Sequence, residues 1–171
     1  MKKILLTLIV CAVFLGTGFS QKIAYVDSDY ILSKIPAYES AQKQLDQLST
    51  EWQTEVEGLF AEVDKLYKDY QTEKVLLTEE MRTKRENEVV DKEKRAKDLQ
   101  KKFFGREGDL YNKRTELVKP IQDNVFNAVK EIGEEGSYIM ILDSAGGAAM
   151  LYTDPRYDKS EEVLDKLGIE K

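Results

Sequence analysis

From Tyr38 to Val75 the chain alternates apolar and charged residues with a helical rather than a strand period. Tyr38, Ala41, Leu45, Leu48, Trp52, Val56, Leu59, Val63, Leu66 and Tyr70 recur about every 3.6 residues. That spacing lies between a straight amphipathic helix and a coiled-coil seam. Glu, Gln, Lys and Asp fill the other faces. A helix this long needs a partner to bury its stripe. A second helical stretch, Thr78 to about Ile132, carries a sparser stripe: Met81, Val89, Ala96, Leu99, Phe103, Leu110, Leu117, Ile121, Val125, Ala128 and Ile132. Intermediate seam positions there are charged, namely Arg85, Lys92, Arg106 and Arg114. Gly105 and Gly108 lower its helix propensity. Pro120 lacks an N–H and crowds the carbonyl of Glu116, which predicts a kink or break. Gly133 and Gly136 are the expected end.

Between the two stretches stands "KVLLTEEM", an apolar knot in charged surroundings. The charge reverses across it. Tyr38 to Val75 holds 4 basic and 9 acidic residues, and Thr78 to Lys119 holds 13 basic and 10 acidic. Folding the chain back at Leu76–Leu77 gives an antiparallel hairpin in which Lys92 to Lys102 faces Glu51 to Ala61, with Glu51, Glu55 and Glu57. Such flanking charges set pairing and register, although exposed pairs contribute only about 0–1 kcal/mol each. Thr78 is the expected cap of the returning helix, with Glu79 and Glu80 in its first turn.

Shorter elements flank the helical region. Ile23 to Val26 reads as a strand, and Pro36 marks a turn. Tyr138 to Leu142 and Ala148 to Tyr152 read as two strands joined by a turn at Ser144-Ala145-Gly146-Gly147. A short helix follows over Ser160 to Leu167, with Asp158 or Ser160 as its cap. The predicted fold class is α+β: a small β body, 21–37 with 133–171, carrying a long helical hairpin, 38–132, whose tip lies near 75–78. At about 1.5 Å per residue each arm would be tens of ångströms long. Three short strands are too few to be stable alone and leave open edges. Self-association through Ile23, Tyr25, Val26, Tyr138, Ile139, Ile141, Met150 and Tyr152 would answer both problems.

The first twenty residues, "MKKILLTLIVCAVFLGTGFS", have a basic start, an apolar stretch too short for a membrane span, and a small-x-small pattern at Gly18 and Ser20. They read as a cleaved secretory signal peptide. Cys11 belongs to it, since Val10 stands where a lipoprotein cysteine would follow a small residue. Cleavage leaves a chain with no Cys and no His, held by packing or oligomerisation, and moves the net charge from −6 to −8. That balance argues against general nucleic-acid or anionic-membrane binding.

Chemistry is sparse. Without His or Cys, Ser-His-Asp and Cys-His catalysis and the common zinc sites are excluded. Gly146-Gly147 lacks the Lys-Ser/Thr of a phosphate loop. Asp27, Asp29, Asp143 and Asp154 could pair for acid–base chemistry, but Asp favours turns and caps for local hydrogen-bonding reasons. Trp52, Phe60, Tyr67 and Tyr70 read as seam rather than ligand box. No enzyme activity, cofactor or metal is expected.

The order of elements is distinctive: leader, "KIAYVDSDYIL", "IPAYESAQKQLDQL", a long helical pair with "LLTEEMR" at its turn, "KPIQDNVFNAVKEIGEEGSYIMILDS", then "YDKSEEVLDKLGI". It resembles the Skp/OmpH family of periplasmic chaperones, in particular Bacteroidetes-like members. The resemblance implies a homotrimer in the periplasm of a Gram-negative bacterium. Helical arms would hold unfolded outer-membrane proteins in a cavity without ATP. Family members are strongly basic and this chain is not, which speaks against contact with lipid or lipopolysaccharide. Val75, Leu76, Leu77 and Met81 are then candidates to touch clients, and Gly105, Gly108 and Pro120 candidates for an arm hinge. An exported coiled-coil spacer or adaptor of the envelope shares the periodicity and the leader and stands as the alternative.

Overall fold

A computed structural model describes residues 22–147 and 150–169. The leader expected at 1–20, and Ala148 and Ala149 of the expected last strand, lie outside them. The chain divides into two compact units, one Leu32–Asn124 and the other made of the residues up to Ile31 with those from Val125 onward.

The first of these units is helical. Helix α2, Pro36–Glu73, runs uninterrupted for 38 residues and starts at the proline itself, whose missing N–H costs nothing at a first helical position. All ten of its predicted seam residues are buried or half-buried, with Ala41, Leu45, Val56 and Tyr70 innermost. A single 3₁₀ turn, Lys74–Leu76, reverses the chain, Leu77 is extended, and α3, Glu79–Phe104, returns against α2. Thr78 caps α3, its Oγ1 accepting from the Met81 N–H at 3.3 Å. Ala96 and Phe103 are buried on the returning side. Trp52 stacks on Phe103 with ring centroids 4.7 Å apart, and Tyr70 donates a hydrogen bond across to Glu86. Burial of such aromatic area is the main stabilising contribution of the pair.

The returning arm breaks at Gly105–Gly108, and α4 begins at Asp109. A Cβ on Gly105 would stand 2.3 Å from the Lys101 carbonyl oxygen, and one on Gly108 would stand 2.7 Å from that of Lys102. No side chain fits either place. Of the kink or break expected at Pro120, the break is absent, since α4, Asp109–Glu135, runs through it. Its neighbours explain this. Val118 is buried with Ala41 and Leu45, and Leu117 and Ile121 pack against the same cluster. That burial offsets the roughly 3 kcal/mol a mid-helix proline costs. Gly133 also lies inside α4. The left-handed residue past the helix end is Ser137, with φ of 53°, not a glycine.

In the other unit β1, Lys22–Val26, pairs in parallel with β2, Tyr138–Asp143, in register Ile23↔Met140 to Val26↔Asp143. Parallel strands need a long crossover, here the whole helical region. The hairpin expected between 138–142 and 148–152 is therefore corrected. The described part of its second strand, Met150, Leu151 and Tyr152, has no strand structure, and Leu151 is fully exposed. β1 is flanked by β2 on one side and by Asp158 and Lys159 on the other, while the outer edge of β2 has no strand along it among the described residues. A helix not expected from the sequence, α1, Ser28–Ser33, follows β1 and is capped by Asp27, which accepts from the Tyr30 N–H at 2.9 Å. Helix α5, Ser160–Lys166, closes the unit. Its core contains Ile31, Ile132 and Val163, each at most 1% exposed. Ser160 is buried, and its Oγ accepts from the Asp27 N–H at 2.8 Å. Lys166 holds α5 to α4 through Glu131 and Glu135, at 3.3 and 2.7 Å.

Candidate functional site

At the hairpin tip the backbone is tied by polar contacts. The Arg82 Nε donates to the Lys74 carbonyl at 2.9 Å, and Nη1 pairs with Glu79 at 2.7 Å. Arg85 reaches across to Glu73 at 3.2 Å. With the turn closed this way, its apolar residues are not needed to cap it. Val75 and Leu76 are 81% and 86% exposed, and Met81 is half-exposed at 51%. Leu77 is half-buried. So of the four candidate contact residues, Leu77 alone turns inward. No spacing or motif pointed to the role of Arg82.

Further along the arms, two cross-arm ion pairs occur among the described residues, Arg85–Glu73 and Lys92–Glu62, the latter at 2.6 Å. The Lys92 hydrogen bond and charge hold the Glu62 carboxyl below its usual range. The rest of the basic run does not meet Glu51, Glu55 and Glu57. Lys97 pairs with Glu93 on its own helix, and Lys102 with Asp109. For Lys97, a partner one turn away on its own helix demands less ordering of two long side chains than one on another helix.

The body presents a second surface. A groove of about 670 Å³ brings together Ile23, Tyr25, Tyr138, Met150 and Tyr152, five of the eight residues expected at an interface. Of the remaining three, Val26 is buried in the core, and Ile141 sits over Gly133 of α4. Ile139 is 59% exposed, and so outside the groove but available. Leu142 and Leu151 add to the exposed apolar surface. No strand lies along the outer edge of β2 among the described residues.

Three of the four candidate carboxylates, Asp27, Asp143 and Asp154, accept hydrogen bonds within the fold. Asp27 caps α1. Asp143 accepts from the Ser28 Oγ at 2.7 Å, the Ser28 N–H at 3.1 Å and the Ala145 N–H at 3.0 Å. Burial works to raise the Asp143 carboxyl, but those three donors outweigh it and hold it below the usual range. Asp154 is lowered by hydrogen bonds from Arg156, whose N–H it caps. Among the described residues no cluster of three or more acidic, His or Cys side chains could hold a metal. No helix among them is long and apolar enough to cross a membrane. The hinge candidates separate: Gly105 and Gly108 lie at the break, and Pro120 lies within a continuous helix.

Three comparisons bear on these surfaces. A family model described as outer membrane protein (OmpH-like) matches residues 22–167. The chaperone protein Skp of Yersinia enterocolitica is 26% identical over 164 residues, covering 92% of this chain and 96% of that protein. A crystal structure of an outer membrane chaperone (OmpH-like) from Caulobacter crescentus superposes with a TM-score of 0.64 at 11% identity, over 86% of this chain and 83% of that one. Its likeness bears on the fold, and agrees with long helices beside a small two-stranded sheet.

Proposed function

The chain belongs to the OmpH-like family of outer membrane chaperones, and from that premise we propose that it is an ATP-independent holding chaperone for unfolded outer-membrane proteins. In this reading the leader sends it to the periplasm and is cleaved. Three copies associate through the body groove and the free β2 edge, and clients are held between the arms. A holder must bind many sequences weakly and reversibly, which suits scattered apolar contacts on several arms acting together. The observation that carries the reading is the tip: a hairpin whose seam is satisfied internally still leaves Val75 and Leu76 in water. The acidic net charge makes short-range apolar contact, not long-range attraction, the main means of capture.

A light-scattering assay tests it. The mature protein at stoichiometric amounts is expected to keep a denatured outer-membrane barrel soluble without nucleotide. Val75→Ser with Leu76→Ser is expected to lose much of that effect while far-UV circular dichroism is unchanged, since neither side chain packs in the fold. Full suppression by the double variant would remove the tips from the mechanism. No suppression by the parent protein would leave an envelope spacer as the better reading.

Bending of the arms is assigned to Gly105–Gly108, where no side chain could be accommodated. Amide exchange is expected to be faster through these residues than through Leu117–Ile121, where the helix is packed on Ala41 and Leu45. Equal protection of the two segments would count against a hinge.

A further inference from the structure

We propose that a notch beside the arm break is a client subsite taking one aromatic side chain of an extended polypeptide together with an adjacent carboxylate. The proposal rests on the chaperone reading above. Where α3 stops and α4 has yet to begin, a cavity of about 380 Å³ opens against α2. This lies at the small end of ligand pockets, large enough for a single ring and its neighbours. Leu45 and Phe104 supply apolar wall, and Tyr111, 55% exposed, stands beside them. An aromatic side chain entering here gains ring contacts and loses exposed apolar area.

The charged residues of the notch specify the rest of the ligand. Arg106 and Arg114 line it and have no ion pair among the described residues. Arg82, Arg85 and Lys92 on the same arm each hold a carboxylate. A guanidinium offers a planar fork that grips a carboxylate through two hydrogen bonds and also stacks on a ring. Asp46 lines the same notch from α2, and a carboxylate can accept an N–H from an extended backbone. Two unpaired guanidinia against one carboxylate favour an acidic residue next to the aromatic one and disfavour a basic residue there.

The test uses the full mature protein and three fluorescein-labelled peptides of equal length and otherwise Ser/Gly/Thr composition, carrying Tyr-Asp, Tyr-Lys or Ala-Asp at the centre. By anisotropy the Tyr-Asp peptide is expected to bind tightest. R106E with R114E is expected to weaken it roughly tenfold, and R106Q with R114Q to weaken it less. K84E with K94E, which changes the net charge equally elsewhere on the arm, is expected to leave it within about twofold. Equal binding of Tyr-Asp and Tyr-Lys, or indifference to R106E/R114E, overturns the proposal. So does a change of oligomeric mass in that variant, which would make the notch a contact between copies. Indistinguishable peptides with intact barrel holding sink the subsite alone. Failure to hold the barrel, with the peptide preference retained, sinks the chaperone reading and leaves the subsite standing.

Discussion

Replacing Ile139 and Tyr152 together by aspartate is expected to turn an oligomer into single chains. Both side chains face water in one chain, at 59% and 84% exposed, so neither substitution disturbs the internal core. In the proposed assembly both positions are covered by a neighbouring copy. Each added carboxylate would then have to be desolvated without a partner, at an effective cost of several kcal/mol. Two per chain, repeated around a closed ring of copies, exceed what small exposed strands supply. Light scattering at micromolar concentration is expected to give an oligomer mass for the parent and a single-chain mass for the variant, with helix content preserved. Holding of denatured barrels is expected to fall with it, because a lone hairpin encloses nothing. An unchanged mass would remove this face from the assembly, and a monomeric parent would remove the assembly itself.

The largest loss of stability is expected from Ile132→Ala. Ile132 is 1% exposed on α4, in the small core that also contains Ile31 and Val163. Removing three carbons from such a site loses their transfer free energy and leaves a cavity, about 2–5 kcal/mol in all. A unit with one two-stranded sheet has little reserve, since one or two kcal/mol is a large share of any small domain's stability. Lys130→Ala, two residues away on the outer face, is expected to change stability by about 0.5 kcal/mol or less. Urea unfolding of both variants at one protein concentration reads the difference, because an oligomer's stability depends on concentration. A loss below about 1 kcal/mol at Ile132 would mean that the body relaxes around the gap.

The arms were legible because helical periodicity is a local property. Every predicted seam residue of α2 lies inward, as do those of the returning arm except Met81, which sits in the polar first turn of α3. The cap at Thr78 was legible for the same reason. Register was less so. Lys92 meets Glu62 and Arg85 meets Glu73, one to five residues beyond what a fold-back centred on Leu76–Leu77 implies. The 3₁₀ turn and the extended Leu77 and Thr78 place residues outside both helices, and no periodicity reports that. The tip residues could be read as apolar but not as exposed, since that depended on Arg82 closing the turn from a turn further on. The notch could not be read at all, because its walls come from residues some sixty positions apart in the chain.

By itself the sequence determined two long paired helices and the turn between them. The order of those elements also carried the family. Each rests on spacing, composition or a cap, and needs only neighbours within a turn or two. The tertiary structure alone decided which strands pair, and which of the flagged positions Gly105, Gly108 and Pro120 breaks the returning arm. Ile23 pairs with Met140 across the whole helical region, so the strand partner of β2 is remote in sequence and not the next segment along. Pro120 stays helical because Val118 beside it is buried on Ala41 and Leu45, whereas Gly105 and Gly108 approach backbone too closely for any side chain. Burial against distant residues outweighs a local propensity of a few kcal/mol, and that burial is not written at any single position.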